Sequence, residues 1–239
     1  MTDPNVQDRN VGNRGDVIKH AALVALAGAL RARNPGLVRH AETHTFRLHA
    51  PLPDPARWHA AIPAIPPGPA LDAYLARQAP WVARGLYRCS AGLAADTLGA
   101  PVRLLLAEAH SPTHAALAAA LAAEGLPIEA LVHDAGALAL LPAPADPAPL
   151  LVHVDPFDHP LAYWDTVTRL LTNWRRPQHD AVVLAFAYDK ATPLTWPAPP
   201  ADLLPLGRLD APPYGLAAWA SGGFAPDARA ALAALGWAA

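Results

Sequence analysis

The sequence lacks much of what the simpler function classes require. It has one cysteine, Cys89, in 239 residues, which excludes a disulfide framework and a cysteine-built zinc site. No apolar run reaches the ~18 residues of a membrane span. Charged residues are only 16% and nearly balanced, 18 Lys+Arg against 20 Asp+Glu, for a net charge of −2. A surface built to grip a phosphate backbone is usually strongly basic, so this balance speaks against nucleic acid as the main partner. The chain contains no Gly-x-Gly-x-x-Gly and no phosphate-loop lysine motif, the signatures of NAD- and ATP-binding folds. It has no Gly-x-Ser-x-Gly elbow for serine hydrolysis. The start, Met1-Thr2-Asp3-Pro4-Asn5, is polar and acidic, unlike a secretory signal. The expectation is a soluble cytoplasmic protein without membrane contact.

Two things are abundant. Hydrophobic residues make up 53% of the chain, enough for a real core, and the length suits one domain over residues 1–239. Many of them are alanines, so the Leu, Val, Phe and Trp positions must define that core. Proline is the other, at 28 of 239 against a usual ~5%. Irregular connections are expected over 50–70, 142–149 and 193–213, the first as a surface excursion.

Asp16 reads as the N-cap of a helix over 17–32, stopped by Asn34-Pro35-Gly36. Residues 37–45 read as a first strand. Helices follow over 71–82 and 90–98, and from a Ser111-Pro112 cap to Glu124-Gly125. Short apolar runs predict strands over 102–107, 128–133, 150–154 and 181–188, with a helix over 163–174. Residues 214–224 suit a glycine-broken edge strand or hairpin, and 227–235 a last helix. Strand and helix alternate from 37 to 188, the pattern of a parallel sheet covered by helices, with ligands at the carboxyl ends of the strands.

Those ends carry Glu42-Thr43-His44, Glu108-Ala109-His110, Asp134 and Asp155. A carboxylate there can accept two hydrogen bonds from the adjacent hydroxyls of a ribose, as a nucleoside-binding sheet requires. Any one of them could equally be a solvated acid closing a strand. Eleven histidines invite a metal reading, but none makes a helical i, i+4 pair with an acid between: His40 and His44, four apart around Glu42, fall in the expected first strand. No metal is expected, and His153, inside an apolar strand, reads as a core histidine. In Asp155-Pro156-Phe157-Asp158 the proline forces an extended backbone, which aims the Asp155 carboxylate and a carbonyl into the crevice.

In series these pieces resemble one family. Gly12-Asn13-Arg14-Gly15-Asp16-Val17-Ile18-Lys19-His20 is similar to the N-terminal signature Gly-Asn-x-x-Asp-Val-x-Lys-His of the RlmJ-type methyltransferases. Those enzymes use S-adenosylmethionine (SAM) to methylate N6 of an adenine in 23S ribosomal RNA. Thr43-His44, Tyr87-x-x-Ser90, Glu108-x-His110-x-Pro112 and Asp155-Pro156 follow in the family's order. The resemblance implies a class I methyltransferase fold: a Rossmann-like, doubly wound, mostly parallel sheet with helices on both faces. It also implies that Lys19, His20, His44, Ser90, Glu108, Asp134 and Asp155 surround SAM. Glu108 would take the ribose hydroxyls and Asp134 the adenine amino group, although Asp134-Ala135-Gly136 stands where the family has Ala-Asp-Gly.

The departures bear on function. Thr45-Phe46-Arg47 replaces the glycine-rich turn that approaches the methionine part of SAM. Phe157 and Asp158 replace the proline and tyrosine of Asp-Pro-Pro-Tyr, which hold and stack the target base. Asn5 to Asn10 stands where the family has a tyrosine and histidines. The resemblance therefore implies a SAM-dependent enzyme acting on a small molecule, with RNA not expected as a partner. That molecule could be SAM itself: its amine attacks its own Cγ, closing azetidine-2-carboxylate and releasing methylthioadenosine. Such a reaction needs a shut pocket and an aromatic face for the sulfonium. Phe157, Tyr163 and Tyr188 are candidates for the face, and Asp155 or Asp158 for the amine. Retained rRNA adenine methylation and a non-catalytic SAM-binding protein are the alternatives. Residues 1–16, with Gly12 and Gly15, would form a lid over the ligand.

Overall fold

The computed structural model describes residues 9–134, 137–156, 163–176, 178–188, 202–211 and 214–237. Helix α1 spans Arg14–Arg33. Its N-cap is Asn13, one turn ahead of the expected Asp16. The Asn13 side chain accepts from the Asp16 amide at 3.1 Å, and the Asp16 carboxylate accepts from the Gly12 amide at 2.9 Å. That reciprocal pair of bonds satisfies two N-terminal donors at once. Gly12 makes it possible: its φ is +76°, a conformation that L side chains rarely adopt and glycine adopts freely.

Twelve of the twenty α1 residues are buried, as in a helix packed nearly all round. Leu23, Leu26 and Leu30 are fully enclosed, each stabilising the fold by roughly 1.5–3 kcal/mol. Strand β1 (Val38–Glu42) follows. Residues 50–70 hold more than a surface loop. Strand β2 (His49–Pro51) pairs antiparallel with β3 (Leu86–Arg88). Helix α2 (Pro55–Ala61) buries Trp58 and Ala61, and Leu52 and Ile65 also join the core. Helices α3 (Pro69–Val82) and α4 (Ser90–Leu98) flank β3.

The rest of the chain supplies β4 (Val102–Ala107), α5 (Ser111–Glu124), β5 (Ile128–Val132), β6 (Leu150–Val154), α6 (Trp164–Trp174), β7 (Ala181–Tyr188), β8 (Leu203–Ala211), β9 (Tyr214–Ser221) and α7 (Ala225–Ala233). The main sheet has the order β5-β4-β1-β6-β7-β9-β8. Pairs β5/β4, β4/β1, β1/β6 and β6/β7 are parallel, whereas β9 runs against both neighbours. The expected edge strand at 214–224 is therefore an inner strand. The edge is β8, inside the stretch read as irregular connection.

Alternation places the core. Val182, Leu184 and Phe186 of β7 face the layer of α1, α4 and α7, while Ala181, Val183 and Ala185 face α6. Both faces are covered, so the doubly wound sheet expected from the sequence is the one observed.

Candidate functional site

The strand order brings the carboxyl ends of β5, β4, β1 and β6 side by side. Asp134, Glu108, Thr43-His44 and Asp155 stand there in that sequence, along one edge of the sheet. Ligand crevices of doubly wound sheets open at this edge, near the strand where the winding reverses. Here that strand is β1, with β4 on one side and β6 on the other.

At the β6 tip, Asp155 Oδ2 lies 2.6 Å from Lys19 Nζ. The same ammonium sits 2.8 Å from Asp16 Oδ1 and 4.8 Å from the ring centroid of Phe186. Lys19 is only 8% exposed. Burial alone would lower its pKa, but Asp155 and then Asp16 more than reverse this and leave it above the ordinary lysine range. A lysine and two carboxylates thus form a nearly buried charge cluster where α1 meets β6.

At the β4 tip, Glu108 is half-buried and accepts from the His110 amide at 2.7 Å. Burial pushes its pKa up to about 7, partly opposed by the His110 and Ala109 amides. A carboxyl poised near neutrality at a crevice lip is a frequent property of functional groups. Beyond β5, Asp134 is exposed. His133 beside it meets Ser111 Oγ at 3.0 Å.

Under α1, at the β1 end, a cluster appears that the residue-type argument did not assemble. Glu42 is fully buried. Its Oε1 lies 3.0 Å from His40 Nε2 and 3.4 Å from His153 Nδ1, and its Oε2 accepts from Ser90 Oγ at 3.1 Å. Burial alone would raise the Glu42 pKa, but the hydrogen bonds of His153 and then His40 hold it well below the usual carboxylate range. Ser90, expected beside the ligand, therefore spends its hydroxyl on Glu42. His20 turns the other way: its Nδ1 lies 2.7 Å from the Tyr87 hydroxyl. His44 bonds Thr43 Oγ1 through Nδ1 at 2.8 Å and meets the Tyr163 ring edge-on, with centroids 4.0 Å apart.

Lys19, His20, His44, Ser90, Glu108, Tyr163 and Asp155 thus gather around the carboxyl edge, with Asp134 at its outer end. Phe157 and Asp158 lie outside the described residues, as does the Tyr188 side chain. Of the expected lid, residues 14–16 belong to α1, and 1–8 lie outside the described residues. The glycine-free turn after His44 is pinned rather than open: the Thr45 amide donates to the Ala107 carbonyl at 2.7 Å. Among the described residues no group of three or more His, Cys, Asp or Glu could hold a metal ion. No helix there is long and apolar enough to cross a membrane.

No family model matches the chain, and no curated protein does. Solved structures do. Protein LPL1258 of Legionella pneumophila, described as family-model DUF519, superposes with a TM-score of 0.61 at 16% identity, covering 94% of this chain and 93% of that one. Lower in similarity, a SAM dependent methyltransferase from Aquifex aeolicus gives 0.49 at 11% identity, covering 92% and 100%. Identities this low speak to fold alone. The sheet order, with its single reversed strand β9 second from the edge, decides which fold it is. The chain has the class I methyltransferase fold. Within that fold, Glu108 and Asp155 stand on the two strands that flank β1, separated by two strand spacings, or roughly 10 Å.

Proposed function

We propose that this protein is a SAM-dependent enzyme acting on a small molecule. The observation that carries the reading is the pair of charged stations on either side of β1. On the β6 side, Lys19 and Asp155 offer opposite charges 2.6 Å apart. That is the complement of an amino-acid zwitterion: Lys19 toward the α-carboxylate, Asp155 toward the α-ammonium. On the β4 side, Glu108 offers a partly desolvated carboxylate to a ribose diol. A nucleoside joined to an amino acid spans two such stations, so the residues present fit SAM. SAM supplies an electrophilic carbon on its sulfonium. Phe186, whose ring already carries Lys19, and the His44–Tyr163 pair supply aromatic surface near the cation.

The finer reading is that SAM is itself the substrate. The α-amine attacks Cγ, the N–Cγ bond forms as the Cγ–S bond breaks, and methylthioadenosine leaves. The ammonium proton passes to a carboxylate, for which Asp155 is placed. Two features favour this over base methylation. Asp155 is engaged by a buried lysine rather than turned to an incoming base, and the −2 net charge provides little pull on RNA. Retained rRNA adenine methylation remains the competing reading because Asp155-Pro156 follows β6.

The test is to incubate purified protein with SAM alone and identify the nucleoside released. Methylthioadenosine is the expected product. S-adenosylhomocysteine formed only on adding a small acceptor would keep the coarser reading and remove the finer one. S-adenosylhomocysteine formed only on adding ribosomal RNA would overturn both.

A further inference from the structure

A buried chain of hydrogen-bonding side chains runs from the proline-rich excursion to the candidate site. Trp58 Nε1 donates to the Tyr74 hydroxyl at 3.2 Å, the Tyr74 and Tyr87 hydroxyls are 3.1 Å apart, and Tyr87 lies 2.7 Å from His20 Nδ1. All four residues are 4% exposed or less. The direction of the protons follows from which groups can only donate. An indole N–H has no acceptor function, so Tyr74 must accept from Trp58. The Tyr74 proton then needs an acceptor. Gln78, its neighbour on the same helix, uses both ends of its amide on the Arg88 backbone, Oε1 accepting from the amide and Nε2 donating to the carbonyl, and its own hydrogen bond with Tyr74 lowers the Tyr74 pKa, the effect of a donor rather than an acceptor. Tyr74 therefore donates to Tyr87, and the Tyr87 proton goes to His20 Nδ1. The reverse arrangement, with His20 Nδ1–H donating to Tyr87, leaves a buried hydroxyl proton without a partner, which is costly.

We infer that Trp58, Tyr74 and Tyr87 form a one-way donor relay that fixes His20 as the neutral Nε2–H tautomer, so that this N–H is presented to the ligand in the crevice. Trp58, Tyr74 and Tyr87 are positioning residues, and His20 is the group they set. Its ring lies within electrostatic reach of Lys19, His153, Asp155 and Glu42, the groups of the β1 and β6 tips. Its Nε2 has no hydrogen-bond partner among the described residues. Burial, and then the Lys19 charge, push its pKa well below the ordinary histidine value, so it stays neutral at physiological pH. A neutral N–H beside the Lys19 ammonium suits an anionic oxygen acceptor. On the function proposed above, that acceptor is a carboxylate oxygen of SAM. The relay also gives the excursion a role: α2 supplies the donor-only residue that sets the direction of the whole chain.

The test begins with the ligand-free, 15N-histidine-labelled wild-type protein and long-range proton–nitrogen correlation spectra. The expected His20 pattern is a pyrrole-type Nε2 and a pyridine-type Nδ1. Protonated Nδ1, or a rapid mixture of tautomers, overturns the relay, and this readout requires neither SAM nor a variant. Tyr87→Phe removes the donor to Nδ1 with little change in volume. The pyridine-type Nδ1 signal is expected to shift away from its hydrogen-bonded position, and SAM binding to weaken about tenfold. An unmoved Nδ1 signal in Tyr87→Phe also overturns the relay. Adding SAM to the wild type is expected to shift Nε2. A SAM-dependent protein whose Nε2 does not respond would remove His20 from the ligand, whereas no binding of SAM at all would overturn the proposed function and leave the tautomer assignment standing.

Discussion

Glu108 and Glu42 sit at neighbouring strand tips and are driven in opposite directions by their surroundings. Glu108 has burial without a cationic partner, so its carboxyl is held near pH 7. In the native protein it keeps its proton between about pH 4.5 and 7, a range in which the unfolded chain has released it. Its contribution to folding therefore weakens as pH rises through that window. Ribose hydroxyls, in contrast, need the ionised form. SAM affinity is expected to fall by about tenfold per pH unit below 7 and to level off above it. Titration calorimetry from pH 5.5 to 8.5 checks this, and Glu108→Gln is expected to flatten the profile. Glu42 is the converse case. Its pKa is depressed from an ordinary 4.5, so its stabilisation is complete above that value and is lost as pH falls. Glu42→Gln leaves His40, His153 and Ser90 without their shared anion. We expect a loss of about 2–4 kcal/mol at pH 7 and a flatter acid limb, read from urea melts at pH 7 and pH 4. Equal stability of the variant at pH 7 would mean that the carboxylate gains nothing from these partners.

At the scale of elements, what could be read from sequence depended on whether an element's cause lay within it. Strands β4, β6 and β7 were legible to the residue, because Val102–Ala107, Leu150–Val154 and Ala181–Tyr188 are short runs of mostly apolar residues buried on both faces. Strand β8 was not. Pro205 and Gly207 argue against a strand, and the register shifts between them. They are tolerated because β8 is the edge, where a missing donor costs little. The acids at the tips of β1, β4, β5 and β6 were visible as a series. The Glu42 cluster was not, because two of its three partners, His153 and Ser90, arrive from β6 and α4. Asn13 and Asp16 are both good caps in the sequence, and only the backbone, with φ +76° at Gly12, puts the true one at Asn13. Helix α4 offers a test of such long-range causes. A Cβ on Gly92 would lie 2.7 Å from Arg88 Cδ and Cζ, and the Arg88 guanidinium is held by Asp96 and Glu124. Gly92→Ala is expected to destabilise by about 1–3 kcal/mol through overpacking, although alanine is the better helix former by ~1 kcal/mol. Stabilisation in a thermal melt would show that Arg88 can move aside freely.

For the molecule as a whole, the sheet explains why charged groups distant in sequence share one edge. Lys19 comes from α1, Glu108 from the middle of the chain and Asp155 from beyond it, and the β4-β1-β6 order brings them to one edge of the sheet. The near-neutral charge balance bears on what that edge admits. Binding to a ribosomal RNA hairpin is expected to be weaker than micromolar at 0.15 M salt. Micromolar binding that falls steeply with added salt, as counterion release requires, would contradict this. On the proposed function, SAM binds at this edge with its ribose on Glu108. The most direct measurement is calorimetric titration of SAM at pH 8 into the wild type and Glu108→Ala, with circular dichroism confirming that the variant is folded. Binding to the wild type is expected, with a loss of roughly 1.5–3 kcal/mol, the scale of hydrogen bonds to a charged group, in the variant. Equal affinity for the two proteins, or no binding to the wild type, would contradict it.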